Sequence, residues 1–252
     1  MDIKIAVATH KKYWMPEDDV YLPLHVGKAL HKDLDLGYAG DNTGDNISDK
    51  NESFCELTGL YWLWKNVQAD YKGLVHYRRH FTNRRIGQSK QDSVLKGEDF
   101  ARILSQSDIL LPKRRKYYIE TNKSHYDHAH YDHDLLATKE VISRVCPQYM
   151  PAFDRQMQRT SAHMFNMMVM RTDYFDAYCK WLFTVLFAVE ECTDISHYDK
   201  FQRRLYGYLS ELLLDVWLET NNLDYQENAV TFMEPQNWLK KGGNFLLRKI
   251  KG

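Results

Sequence analysis

Residues 41–81 read DNTGDNISDKNESFCELTGLYWLWKNVQADYKGLVHYRRHF, and this stretch decides the fold. It opens on a run of Asp, Asn and Gly, which build turns. Ser48 or Asp49 is then placed to cap a helix over residues 52–67, where Phe54, Leu57, Leu60, Tyr61 and Trp64 recur at helical spacing. Gly73 leads into a short apolar strand, 74–77, followed by Arg78 and Arg79. A loop, a helix and a buried strand in that order are a unit of α/β architecture. Ligands of open α/β sheets bind beyond the carboxyl ends of the strands. Arginine at such an end suits an anion, because its planar donor fork matches phosphate oxygens.

The flanks extend the pattern. Residues 3–9 (IKIAVAT) form a β-rich opening strand, followed by a loop over 10–19. Residues 21–30 read as a short strand or turn, and 34–45 as loop. Downstream lie a polar excursion (84–96), a short helix (97–104) and a second buried strand (108–111) closed by Pro112. The segment 121–134 is dense in His, Tyr and Asp and reads as a polar loop. Helices are expected over 135–145 and 152–159, and a strand over 163–170 (HMFNMMVM). Asp173 is placed to cap a long helix over 174–191, and a further helical region spans 201–218, interrupted by Gly207. Strands alternate with helices without internal repeats, which predicts an α/β fold: a mixed sheet flanked by helices, with a helical C-terminal portion.

Composition narrows the partners. Lys plus Arg and Asp plus Glu both number 34, so the formal charge is zero and nothing points to nucleic acid. No run approaches the roughly 18 apolar residues of a membrane span. The first ten residues are too polar for a signal peptide, and the cysteines Cys55, Cys146, Cys179 and Cys192 lack zinc spacing. These features predict a cytoplasmic protein with reduced thiols. Residues 238–249 mix Trp238, Leu239 and Phe245 with lysines and Arg248, a composition that suits peripheral contact with the anionic inner face of a cell membrane.

Six segments, IAVATHKKYWMP, DNTGDNISDKN, CELTGLYWLWKN, GLVHYRRHF, HMFNMMVMRTDYFDAYCKWLF and RLYGYLSELLLDVWLE, together resemble domain of unknown function family 4422 of bacterial capsule, exopolysaccharide and O-antigen synthesis. The resemblance covers nearly the whole chain. It implies a glycosyltransferase A-type, Rossmann-like fold and a galactofuranosyltransferase activity, with UDP-galactofuranose as donor and a lipid-linked glycan as acceptor. One domain over 1–252 is expected, with a nucleotide-sugar half to about residue 120, an acceptor and catalytic half over about 121–237, and a basic tail over 238–252.

That chemistry requires charge neutralisation on a departing diphosphate and a base for the acceptor hydroxyl. Many A-type enzymes hold a metal on an Asp-x-Asp at the end of a central strand. Here His76, Arg78 and Arg79 stand at that end, so arginine is read as replacing the metal and no cofactor is expected, with manganese or magnesium as the alternative. Thr9, His10 and Lys11, at the end of the first strand, are read as further nucleotide ligands. Asp41, Asn42, Asp45 and Asn46 are candidates for the donor sugar. Ser210 is placed to cap a helix with Glu211 in its first turn, and Glu211 is the expected base, with Asp134 in reserve. Asp132, His163 and Asn166 are assigned to the acceptor. The rival readings are a metal-dependent transferase of another UDP-hexose and a non-catalytic glycan- or nucleotide-binding subunit of an assembly complex.

Overall fold

The computed structural model describes residues 1–235. Its elements begin with β1 (Ile3–Thr9), β2 (Tyr21–His25), β3 (Ala39–Gly40), α1 (Asn51–Phe54), α2 (Leu57–Asn66), β4 (Tyr71–His76) and β5 (Arg79–Phe81). There follow α3 (Gly97–Leu104), β6 (Ile109–Pro112), β7 (Arg115–Lys116), α4 (Asn122–Asp127), α5 (Asp132–Val145) and α6 (Met150–Gln158). The remainder are β8 (Ser161–Ala162), β9 (Met168–Arg171), α7 (Thr172–Glu190), α8 (Leu205–Thr220), β10 (Gln226–Asn228) and β11 (Val230–Phe232).

The main sheet runs in the order β10-β6-β9-β4-β1-β2-β3. β1 pairs parallel with β2 and β4, β2 with β3, and β6 with β10. β9 lies antiparallel between β4 and β6, so those two share a direction. Every strand on this path except β9 therefore ends at one edge, and β9 begins there. The sheet is mixed and mostly parallel, with helices against it, as the alternation of patterns predicts.

Side-chain alternation along β1 builds the core on both faces. Ile3, Ile5 and Val7 pack with Val75, Phe100 and Val169, while Ala6 and Ala8 face Leu57, Leu60 and the helical layer. The small alanine face lets α2 lie close. A Cβ added at Gly59 of that helix would stand 2.8 Å from Val26 Cγ1. Leu60 and Leu74 are fully buried here, each stabilising the layer contact by roughly 1.5–3 kcal/mol.

Several local expectations are corrected. The helix over 52–67 is two helices, because Cys55 has φ 51°, which no helix accommodates. The strand over 74–77 stops at His76, and Tyr77 and Arg78 form a turn into β5, which runs antiparallel with Arg79 opposite His76. The strand over 163–170 is reduced to β9, since Phe165 and Asn166 have φ 80° and 51°. α8 begins at Leu205, so Ser210 lies inside it and does not cap it. Gly207 does not interrupt α8; it admits Cys55, whose Sγ would stand 3.3 Å from an added Cβ. Asp173 sits in the first turn of α7 and pairs with Arg171 at 2.7 Å in place of capping. The segment 121–134 contains α4 and the start of α5, and within 84–96 the residues Ser93, Val94 and Leu95 are buried. No helix among the described residues is long and apolar enough to cross a membrane. The basic tail over 238–252 lies outside the described residues.

Candidate active site

Parallel register assembles the ends of four strands. Thr9 lies opposite His25, His25 opposite Gly40, and Ala8 opposite His76. Two charged groups of different character meet beyond this edge.

The outer group is solvated. Arg78 stands in the turn after β4, and its Nη1 donates to Glu234 Oε2 at 3.3 Å. Lys11, from the loop after β1, reaches the other oxygen of Glu234 at 3.4 Å. Both cations lie over the Tyr77 ring, 5.1 Å from its centroid. Although partial burial opposes it, Arg78 and Lys11 hold the Glu234 carboxyl below the usual range. His10 meets Tyr77 edge-on, and burial followed by Arg78, Lys11 and Arg204 lowers its pKa. Arg204 completes this positive field. It donates from Nε to Cys55 Sγ at 3.2 Å, and burial pushes that thiol up to about 12, so the sulfur stays protonated.

The inner group is enclosed. Arg79 turns away from Arg78, its guanidinium 4.6 Å from the Phe165 ring and 5.8 Å from Phe232. Its Nε is buried without a hydrogen-bond partner, and no carboxylate pairs with it among the described residues. Burial lowers its pKa, opposed by Glu211. A buried, unpaired donor on a cation is costly to leave unmade.

Glu211 and Glu56 converge on the Phe165–Asn166 corner. The Phe165 N–H donates to Glu211 Oε1 at 3.0 Å, which leaves Oε2 without a hydrogen bond among the described residues. Asn166 Nδ2 donates to Glu56 Oε1 at 2.8 Å and to the Gly207 carbonyl at 3.1 Å, and Ser210 Oγ donates to Asn166 Oδ1 at 2.8 Å. His76 Nε2 contacts the Phe165 carbonyl at 2.5 Å and lies 3.9 Å from Glu56 Oε1. Burial lowers the His76 pKa, so the ring is neutral at pH 7 and Nε2 donates to that carbonyl. Burial first, then the neighbouring Glu56, raises the Glu211 pKa to about 7, against the Phe165 N–H, Arg79 and Arg115. The left-handed backbone at Phe165 and Asn166 is thus held by contacts with β4, the α1–α2 junction and α8.

The remaining candidates are placed elsewhere or differently. The Thr9 hydroxyl is buried and donates to the Lys11 carbonyl at 2.7 Å, so it shapes the loop after β1. Asp41 is fully buried: it accepts from Gly27 N, Lys28 N, the Ser48 hydroxyl and the Thr58 hydroxyl, and it braces the β3 end with no oxygen left for a sugar. Asp45 takes Tyr61 at 3.1 Å and Asn46 closes its own turn, while Asn42 is exposed. Asp132 and Asp134 point apart, as i and i+2 positions of a helix must: Asp132 is exposed, and Asp134 is buried against Tyr198 at 2.8 Å. Burial raises the Asp134 pKa, and its Oδ1 is taken up by the Tyr198 hydroxyl. Among the described residues no cluster of three or more His, Cys, Asp or Glu is arranged to hold a metal. His163 is buried with both ring nitrogens engaged, at 2.6 Å to Asp215 and 3.0 Å to Glu227, so it ties the end of β8 to α8 and β10. Asn166 is buried and orients Glu56. Sequence reading missed Glu56 and Arg204. Glu56 is hidden inside an apparently continuous helix pattern, whereas the basic pair Arg203-Arg204 ahead of LYGYLSE was a visible signal.

The profile described as Domain of unknown function (DUF4422) matches residues 4–222. No curated protein matches the chain. Among solved structures, the WbbM bifunctional glycosyltransferase in its apo form is similar at 30% identity and a TM-score of 0.85, over 93% of this chain and 46% of that one. The chain thus spans about half the length of this neighbour and shares its fold over that span. The chain belongs to the DUF4422 family.

Proposed function

We propose that this DUF4422 member is a glycosyltransferase of bacterial surface polysaccharide synthesis that moves galactofuranose from UDP-galactofuranose to a lipid-linked glycan, with inversion, at the cytoplasmic face of the membrane. The observation that carries the reading is the buried, unpaired Nε of Arg79 beside a carboxyl whose pKa is raised to about 7. The similarity to a bifunctional glycosyltransferase supports the activity class.

In this reading Arg79 donates to the donor diphosphate, and Arg78, Lys11 and Arg204 supply the surrounding positive field in place of manganese or magnesium. His10 lines the nucleotide side, and Asn42, Asp45 and Asn46 lie on the donor-sugar side. Glu211 Oε2 takes the proton of the acceptor hydroxyl. The hydroxyl oxygen bonds to the anomeric carbon, the bond from that carbon to the β-phosphate oxygen breaks, and UDP departs with the electron pair. A carboxyl near pH 7 suits this task, because a useful fraction is ionised while its basicity stays high. His76, Glu56 and Asn166 hold the corner that aims it.

The test is turnover of UDP-galactofuranose against UDP-galactopyranose and UDP-glucose, each with and without EDTA. Preference for the furanose donor that survives chelation supports the proposal. Activity that EDTA abolishes and manganese restores would remove the arginine-for-metal step.

A further inference from the structure

Two aromatic walls flank Glu211, and none of the contacts above uses them. On α8, Tyr208 lies one turn before Glu211 and so shares its helix face. Its ring centroid stands 4.1 Å from that of His130, which in turn stacks with Phe201 at 5.4 Å and an interplanar angle of 13°. Phe201 is 52% exposed, so part of this aromatic surface is open to water. On the other side, β7 pairs with β8, and β8 leads directly into the Phe165 N–H that Glu211 holds. Tyr117, just after β7, stacks on His125 at 4.0 Å. The hydroxyls of Tyr117 and Tyr208 are both buried without a hydrogen-bond partner. Tyr117 as a whole is only 7% exposed. Buried hydroxyls normally find partners, and a pair of orphans around one carboxyl calls for a polar guest.

The arrangement fits a sugar ring. Its C–H face is apolar and slightly positive, and lies against the negative face of an aromatic ring, while its hydroxyls take the phenolic O–H groups. We propose that the Tyr208–His130–Phe201 stack and Tyr117 with His125 form the subsite for the acceptor sugar, presenting its hydroxyl to Glu211. The proposal rests on the transferase reading above, and places the acceptor between α8 and the β7–α4 segment. Burial, with Glu211 among the lesser causes, pushes both phenols up to about 12, so each remains an O–H donor at neutral pH.

The test separates acceptor from donor. A panel of octyl hexosides is measured by saturation-transfer NMR, and UDP by calorimetry, on the wild type and on Phe201→Ala and Tyr208→Phe. The wild type is expected to bind at least one hexoside, and each variant to weaken it by about fivefold to tenfold. UDP affinity is expected to stay within about twofold, since Phe201→Ala keeps the carbonyl that accepts from Arg204 N–H and Tyr208→Phe keeps the ring that lies 5.4 Å from the Arg204 guanidinium. Unchanged hexoside binding in both variants overturns the subsite, as does a wild type that binds no hexoside. Failure of the wild type to bind UDP is a different result. It removes the nucleotide-sugar reading, while a hexoside lost from both variants would still locate a sugar site at these aromatics.

Discussion

The outer and inner halves of the cation group carry neighbouring arginines into opposite physical situations. Arg78 and Lys11 are largely solvated and share one carboxylate, Glu234, at 3.3 and 3.4 Å. Arg79 is largely enclosed, packs against Phe165, and has no carboxylate partner among the described residues. In the outer group water screens every charge, so an ion pair there contributes little and exchanges readily for another anion. In the inner group each charge is expensive unless something meets it, which is why Glu211 retains its proton to about pH 7 and Arg79 keeps an unmet donor. The outer half is suited to attracting an anion, and the inner half to binding one tightly and reacting beside it.

Five substitutions break or sharpen that contrast. The largest effect is expected from Glu211→Gln, which should lower kcat by about 10²- to 10⁴-fold while leaving UDP binding intact. In the wild type kcat/KM should rise with pH through about 7, because the base must be ionised to accept a proton. Full activity in the Gln variant would end the base assignment. Next, Arg79→Ala should reduce transfer by about 10²- to 10³-fold. Arg78→Ala should cost only about tenfold or less. Equal losses, measured as UDP release, would erase the distinction between inner and outer arginine.

Glu56→Gln is a subtler probe. It removes the like charge that helps raise the Glu211 pKa, so the acid limb of the rate profile should move to lower pH, by up to about one unit. An unmoved limb would mean that burial alone sets the value. The smallest effect belongs to Glu234→Ala. Releasing Lys11 and Arg78 should tighten UDP by a few-fold at low salt, and the gain should fade as salt is added. Weaker UDP binding in this variant would show that Glu234 organises the cations and does not compete with the ligand.

Much of this was legible in the sequence. The alternation of IKIAVAT and the loop–helix–strand of residues 41–81 specify the sheet, because period-2 and helical apolar patterns each permit one way of burying a face. A parallel sheet then requires the residues after β1 and β4, Lys11 and Arg78 among them, to meet at one edge. Glu211 stands out in the sequence as an acid in a motif ahead of an apolar helix, although its place inside α8 does not.

What the chain alone determined, then, was the α/β class and the family, since both are written in patterns a few residues long. Tertiary structure decided the site. Cys55 and Phe165 adopt positive-φ backbone that side chains of their kind rarely take, and the Phe165–Asn166 corner persists through hydrogen bonds to Glu56, Glu211, Gly207 and His76. Asp41 looked like a ligand and became a brace, and Glu56 looked like helix and became part of the site. A carboxylate's role depends on whether its partners are protein or ligand, and those partners lie far away along the chain.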